Sequence, residues 1–520
     1  MNKPPSSLLR KSRAALRRQW LCVVVTMVLG TFISLALTAI FGVPAPRMPD
    51  EFAYILGSET FASGQLTNPT HPMWQHFETL HIIQQPSYAP KYPPAQSLML
   101  AVGQLLGHPV IGSSLGLGLS MAALAWMLLG WLPKKYNALI VLFVACHPAF
   151  QYVWGQSYWG GALAMAGSSL LVGSFARLRH DFQIKYAVIA GFGVVLLANC
   201  RPFEGAVLTA AVGVALLFKL VKTPQWETGP FLVRVIAPGL VVLGLGAAWM
   251  MTYNQAVSGS PFKMPYKIHE ETYGWTPLFL WQTAGEKPVY RHSDIEAAHV
   301  RDKEVTGAAF SSLSQILTIK CAATVRVLWF FCGGSVLVML LSFPRLMKLR
   351  KYSIAFAIAI PAFFAGMATP WEWPHYCAAA TPLVILFLLA SWIEFWQRSR
   401  SSPQFRTVLI IAVFASQIYW TYSVVKKHNS RDTVAYANQR ADFVDQLKES
   451  PRQDLVVIRY SDVPSHQWVY NGANIDDSEI VWAREISDDA REKLIEYFSD
   501  RKVWLLDTSS KPVKLQPYQQ

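Results

Sequence analysis

Asp50 and Glu51 are adjacent carboxylates in the stretch Pro49-Asp50-Glu51-Phe52-Ala53-Tyr54, which follows an apolar run over residues 20–43. A carboxylate at a membrane face can act as general base for a hydroxyl, or hold a cation or an amine. The same pair suits the first turn of a helix over residues 51–62, where acidic side chains favour the positive end of the dipole. The loop that follows, residues 44–94, is too long for a simple connector. It carries His71, Trp74, His76, Glu78, His81, Tyr88, Lys91 and Tyr92, and it closes on Lys91-Tyr92-Pro93-Pro94. Lys91 can hold a lipid phosphate as a point charge, or snorkel to the interface. The spacing His76-x-Glu78-x-x-His81 is not HExxH. No metal ligand or cofactor is therefore assigned, and support for a divalent cation is weak.

Three short turns carry further candidates. Gln156-Ser157-Tyr158-Trp159-Gly160-Gly161 is polar and aromatic. Asn199-Cys200-Arg201-Pro202-Phe203-Glu204-Gly205 carries both charges at a helix break, and Trp371-Glu372-Trp373-Pro374-His375-Tyr376 is the third. Charged residues at a membrane boundary are often functional, whereas an aromatic belt accounts for Trp371 and Trp373. Arg201 is the only Lys or Arg in these turns. It is the expected anion binder, with Glu204 as its internal partner.

The elements that must position these residues are membrane spans. The chain has 520 residues, 52% hydrophobic and only 15% charged, against roughly 25% charged in soluble domains. Its apolar runs reach the length that crosses about 30 Å of hydrocarbon. Residues 20–43 are too long for a signal-peptide core and read as a retained anchor. Arg10, Lys11, Arg13, Arg17 and Arg18 place the N-terminus on the cytoplasmic side. Residues 95–106 are apolar but too short to span, so they form a juxtamembrane helix within the first external loop. The later basic loops then all fall inside, which gives an all-α polytopic protein of about 11 transmembrane helices. Its long external loops are residues 44–109 and 254–320.

The net charge of +14 follows from that orientation, and no nucleic-acid partner is implied. The six cysteines lie in or beside apolar runs without a CxxC pair, which excludes a disulfide framework and a thiolate zinc site. Residues 428–520 alternate helical and strand patterns, with helices over 435–449 and 488–497 (after Ser487) and strands over 455–458, 479–483 and 503–506. They form a small external α/β domain beyond the transmembrane module of residues 1–427. Neither GxGxxG nor GxxxxGK[ST] occurs there. Polar and aromatic residues converge on the outer face, helix interiors carry few ionisable groups, and no internal repeat is present, which disfavours a transporter.

An N-terminal span followed by an external loop that opens on Asp-Glu and closes on Tyr-Pro-Pro resembles the GT-C class of integral-membrane glycosyltransferases. That class includes the protein O-mannosyltransferases and the lipid A aminoarabinose transferase. The likeness is greater to bacterial, largely uncharacterised members. It rests on Pro49-Asp50-Glu51-Phe52, Asn68-Pro69-Thr70-His71-Pro72, Lys91-Tyr92-Pro93-Pro94, residues 155–161, Arg201-Pro202-Phe203-Glu204-Gly205, His375-Tyr376, Trp468-Val469-Tyr470-Asn471 and Val481-Trp482-Ala483-Arg484. The resemblance implies an inverting transferase that moves a sugar from a polyprenyl-phosphate donor to an acceptor hydroxyl at the outer face of a bacterial inner membrane, with the tail periplasmic. Under it, Asp50 with Glu51 is catalytic, and Lys91, Tyr92 and Arg201 meet the donor phosphate. His71, Tyr88, Gln156, Tyr158, Trp159, Glu204, His375 and Tyr376 contact substrate. No second DxD motif accompanies Asp50, so Glu78, Glu204 and Glu372 are the remaining acidic candidates for a cation. A lipid-linked glycan flippase and a membrane scaffold with a periplasmic binding domain are the alternatives.

Overall fold

The computed structural model describes residues 6–222, 228–309, 312–371, 373–399, 402–429, 432–449, 452–461, 466–510 and 512–518. Among them, seven helices are long and apolar enough to cross a membrane by length and composition: Arg18–Phe41, Pro109–Trp131, Gly161–Leu178, Pro202–Lys222, Thr228–Ser258, Leu313–Leu346 and Pro403–Lys426. Four further segments expected to span are also helical, as Asn137–Ala145, Ile184–Ala198, Arg350–Met367 and Thr381–Arg398. Each is shorter or more polar than that standard. The first of the four is continued after a break by a π-helical turn, Phe150–Trp154.

Pro109–Trp131 and Gly161–Leu178 run through the middle of the bundle and are mostly buried. Leu117, Met121, Leu124 and Leu128 of the former meet Ala164, Met165 and Val172 of the latter in one core. The peripheral spans instead turn Val24, Phe32, Leu245 and Phe414 outward, as helices facing lipid must. Close approach depends on small residues, as is common between membrane helices. A Cβ on Gly118 would lie 2.0 Å from Thr31 Oγ1 of the first span.

The segment over residues 95–106 is a helix, Ala95–Leu105, of 11 residues. At 1.5 Å per residue it covers only about half the hydrocarbon thickness. Ahead of it, the first loop folds into helix Pro49–Ala62 and a hairpin, Ile82–Ile83 against Ala89–Pro90. The second loop contributes helices Pro265–Tyr273 and Ser293–Ala309.

The tail is α/β as expected. Strands Asp454–Arg459, Ile480–Arg484 and Lys502–Asp507 are parallel, with the first in the centre, and Leu455 lies opposite both Val481 and Val503. Ser487 caps helix Asp488–Tyr497 by accepting the Ala490 N–H at 3.3 Å. A fourth, antiparallel edge strand, Lys514–Pro517, was not foreseen. It is polar and largely exposed, so it carries no apolar run to betray it.

The tail shares its core with the first loop. Phe52 and Leu56 of helix Pro49–Ala62 join Leu455, Val457, Trp482 and Leu506. Phe52 stacks on Tyr470 with centroids 4.0 Å apart. Arg484, fully buried, pairs with buried Asp294 of the second loop. It also donates to the Glu78 carbonyl of the first loop at 2.8 Å. Glu78 in turn accepts from Tyr273 Oη at 2.8 Å and Arg291 Nε at 3.1 Å, and lies 2.8 Å from His292 Nε2. One polar network therefore joins both loops and the tail. Removing one member of a buried ion pair strands the other charge, at a cost of about 3–5 kcal/mol. Arg484→Met should lower the unfolding midpoint in detergent markedly. Arg484→Met with Asp294→Leu should recover most of that loss, as followed by thermal unfolding.

Candidate functional site

Local geometry at Asp50 starts with Pro49. Met48 is extended (φ −124°, ψ 149°) and Pro49 occupies the first helical position, where its missing N–H costs nothing and its fixed φ favours the helix. Asp50 then sits in the first turn, beside the unpaired amides of the helix N-terminus. Glu51 reaches back to the Arg47 and Met48 N–H groups at 2.9 and 3.3 Å, as the glutamate arm of a capping box does. Its other oxygen accepts the Tyr158 N–H at 3.1 Å. Both Glu51 oxygens are thus engaged by backbone, and the residue ties the turn at 155–160 to the helix. That tie brings Trp159 beside Asp50.

The hairpin supplies the rest. His81 is the one described non-glycine residue with positive φ, at 67°, a conformation that costs of order 1 kcal/mol or more. The Lys91 N–H donates to the His81 carbonyl at 3.1 Å, so the hairpin base sets His81 and Lys91 opposite each other, with Tyr92 next. Asp50 Oδ1 lies 2.6 Å from His81 Nδ1 and accepts from Tyr92 Oη. Asp50 Oδ2 accepts from Trp159 Nε1 at 3.2 Å. Burial pushes the Asp50 carboxyl up, but the interaction with His81, the Tyr92 hydrogen bond and the Lys91 charge outweigh it. The carboxyl is held well below the usual carboxylate range.

An aromatic and cationic wall surrounds this centre. Tyr54 stacks on Tyr92 at 4.8 Å, and Lys91 lies over the Tyr92 and Tyr266 rings at 5.5 and 5.0 Å. Trp159 meets His375 at 4.8 Å and Trp373 at 5.9 Å. His375 packs on Tyr376 at 4.7 Å, and Arg201 lies over Tyr376 at 4.5 Å, with Glu204 at 3.9 Å. Burial, with the Arg201 charge, pushes the His375 imidazole down to about 3, so it is neutral. A cavity of about 530 Å³ opens beside Trp159 and His375. It runs between aromatic side chains of the spans, Trp154, Phe330 and Trp420, with Arg47, Glu51 and Arg326 also on its wall.

Of the residues singled out from sequence, Asp50, Lys91, Tyr92, Trp159, Arg201, Glu204, His375 and Tyr376 come together. Four others engage elsewhere. His71 Nε2 lies 2.9 Å from Asp476 Oδ1, and Tyr88 Oη donates to the Asn471 carbonyl at 3.1 Å; both join the first loop to the tail. Gln156 holds the Ser34 carbonyl at 3.0 Å, and Tyr158 Oη the Pro44 carbonyl at 2.9 Å; both anchor the turn to the first span. Glu372 lies outside the described residues.

The sequence reading did not assign His81, Tyr54, Arg47 or Arg326 to the site, nor any second-loop residue. His269 has its ring 5.9 Å from His81 and both ring nitrogens buried without a hydrogen-bond partner. Asp302 accepts from Trp371 Nε1 at 3.1 Å. Arg326 was the most legible of these, as a cation inside an apolar helix. Among the described residues, no group of three or more His, Cys, Asp or Glu has metal-binding geometry.

No protein-family model and no curated protein matches the chain. Solved structures do. The Archaeoglobus fulgidus oligosaccharyltransferase, in a structure with zinc and sulfate, aligns over 93% of this chain and 67% of its own at 13% identity and a TM-score of 0.51. ArnT from Cupriavidus metallidurans aligns over 95% of this chain and 93% of its own at 15% identity, TM-score 0.49, in the apo state. Its complex with undecaprenyl phosphate gives 94% and 92% at 14% identity, TM-score 0.49. The chain thus shares its fold with that oligosaccharyltransferase, and its seven long apolar helices make it a multi-pass membrane protein.

Because the Asp50 value is depressed in the folded chain, its stabilising contribution is complete above the ordinary carboxylate value of about 3.9 and is lost as pH falls through the lower, folded value. The gap in unfolding midpoint between the wild type and Asp50→Asn should therefore stay constant between about pH 7 and 8, where Asp50 is ionised and His81 neutral. Thermal unfolding in detergent should show it narrowing only below about pH 4.

Proposed function

We propose that the protein is an inverting glycosyltransferase that moves a sugar from a polyprenyl-phosphate donor to an acceptor hydroxyl at the outer face of the membrane. The observation that carries this reading is Asp50: a carboxylate kept ionised by three side-chain donors, next to an aromatic cavity that runs among the spans. A lipid donor keeps its chain in the bilayer, and such a cavity suits the part of that chain nearest the phosphate. The reacting carbon would then lie near Trp159 and His375. An inverting displacement needs a base on the acceptor side and positive charge on the departing phosphate. The Asp50 centre serves the first need. For the second, Lys91 and Arg201 flank the centre, while Arg47 and Arg326 line the cavity itself. Tyr92 would position Asp50, and Tyr376, with Glu204, would hold Arg201 in place. Glu51 serves as the helix cap rather than as a second base. The fold shared with an oligosaccharyltransferase is compatible with glycosyl transfer. The distribution of basic loops supports an external tail, and the location proposed with it is a bacterial inner membrane with the tail periplasmic.

In reconstituted vesicles supplied with a panel of radiolabelled polyprenyl-phosphate sugars, the wild type should transfer label from at least one. Asp50→Asn should lower kcat by about 100-fold or more. Arg326→Ala and Arg201→Ala should weaken turnover through the phosphate. Full turnover in Asp50→Asn would remove that residue from the chemistry.

A further inference from the structure

Asp50 is an unusual choice of proton acceptor. Oδ1 already receives Tyr92 Oη and His81 Nδ1, and Oδ2 receives Trp159 Nε1. The surroundings are arranged to keep the carboxylate charged, which makes it a weak base. His81 is the neighbour that gains from this. An ionised carboxylate only accepts hydrogen bonds, so the Nδ1 facing it must carry the proton. A neutral imidazole has one donor and one acceptor nitrogen, so Nε2 is left with its lone pair. Among the described residues, no group hydrogen-bonds Nε2 of His81. The ring is about a quarter exposed, as is Asp50. The backbone at His81 is held in the left-handed region, and strain kept at one residue by its surroundings points to a positional requirement there.

We infer that His81 Nε2 takes the proton of the acceptor hydroxyl and that Asp50 is a positioning residue, which fixes the imidazole tautomer and stabilises the imidazolium. The inference rests on the transferase reading above and divides its base function between two residues. The same division holds where an aspartate orients a histidine base without itself being protonated. In the step, the acceptor O–H bond breaks and its oxygen bonds the anomeric carbon. The bond from that carbon to the phosphate oxygen breaks with its electron pair, leaving polyprenyl phosphate. The proton rests on His81 and passes to water.

The groups facing His81 come from four elements: Asp50 on helix Pro49–Ala62, Lys91 and Tyr92 after the hairpin, His269 on Pro265–Tyr273, and His299 and Asp302 on Ser293–Ala309. Burial, then the Lys91 charge, lowers the imidazole below its ordinary value, while Asp50 and Asp302 act the other way. The ring is therefore neutral and able to accept a proton at neutral pH.

The test is the pH dependence of kcat/KM for the wild type, together with His81→Asn. The asparagine amide retains a donor toward Asp50 but has no Nε2. The wild type should lose activity on acidification with a midpoint below the ordinary imidazole value of about 6.5. His81→Asn should lose about 100-fold or more in kcat, with donor KM and unfolding midpoint near those of the wild type, and that acid limb should vanish. A wild-type profile flat down to pH 4, or turnover in His81→Asn within twofold of the wild type, would overturn the inference while leaving the transferase reading standing. The wild-type profile settles the matter even if the variant misfolds. No transfer by the wild type from any polyprenyl-phosphate sugar would remove both.

Discussion

The buried pair of Arg484 and Asp294 is the interaction on which the arrangement outside the bundle depends. Two charges removed from water cost several kcal/mol each unless every remaining proton and lone pair finds a partner. Further partners are supplied here: Arg484 also reaches the Glu78 carbonyl and Gln467, and Asp294 accepts from Gln467. The partners come from the first loop, the second loop and the tail. The guanidinium is therefore satisfied only when all three are in place, and it selects one mutual arrangement where apolar contact alone would allow several. The Glu78 carboxyl carries the same logic one residue further. Burial pushes it up, but His292, Tyr273 and Arg291 hold it below its ordinary range.

That arrangement is what gives the Asp50 centre its character. Helix Pro49–Ala62 is clamped from one side by the turn at 155–160 through Glu51 and from the other by the tail through Phe52. Its first turn cannot drift away from the hairpin that carries His81, Lys91 and Tyr92. Preorganised donors around a charge stabilise it without reorganising during a reaction. The three groups on Asp50 come from two segments, the hairpin (His81 and Tyr92) and the turn at 155–160 (Trp159), so the precision of the centre comes from the assembled loops and not from any one motif.

Much of the fold was legible because its signals are long. Apolar runs and the sidedness of Lys and Arg gave the polytopic bundle, the short helix at 95–105 and the α/β tail. Four of the segments read as spans are shorter or more polar than a free-standing span. At the site, residues on short turns beside the spans, Asp50, Tyr92, Trp159, Arg201 and His375, were found because sidedness put them together. His71 and Tyr88 drew the same attention for the same chemistry, yet they bond the tail. Residue type cannot separate a polar side chain that joins two domains from one that lines a cavity. The second loop was legible as a long external loop but yielded no site residue, because His269 and Asp302 reach the centre by tertiary packing alone. The backbone of His81 had no signal either: no glycine or asparagine marks it.

The tail core has a consequence for how the protein is made. Glu78 and Arg484 are 406 residues apart in the chain, and contacts so distant in sequence form late. A ribosome delivers the first loop early, yet its helix and hairpin have no completed partner until the last strands emerge. During synthesis the Asp50 region therefore waits unfinished while the spans enter the membrane one after another. A chain that stops short of the tail would hold Asp50, His81, Tyr92 and Trp159 and still lack the contacts of Phe52, His71, Tyr88 and Glu78 that fasten the first loop. The contacts that fasten the first loop to the tail thus come only once residues 452–510 have been made.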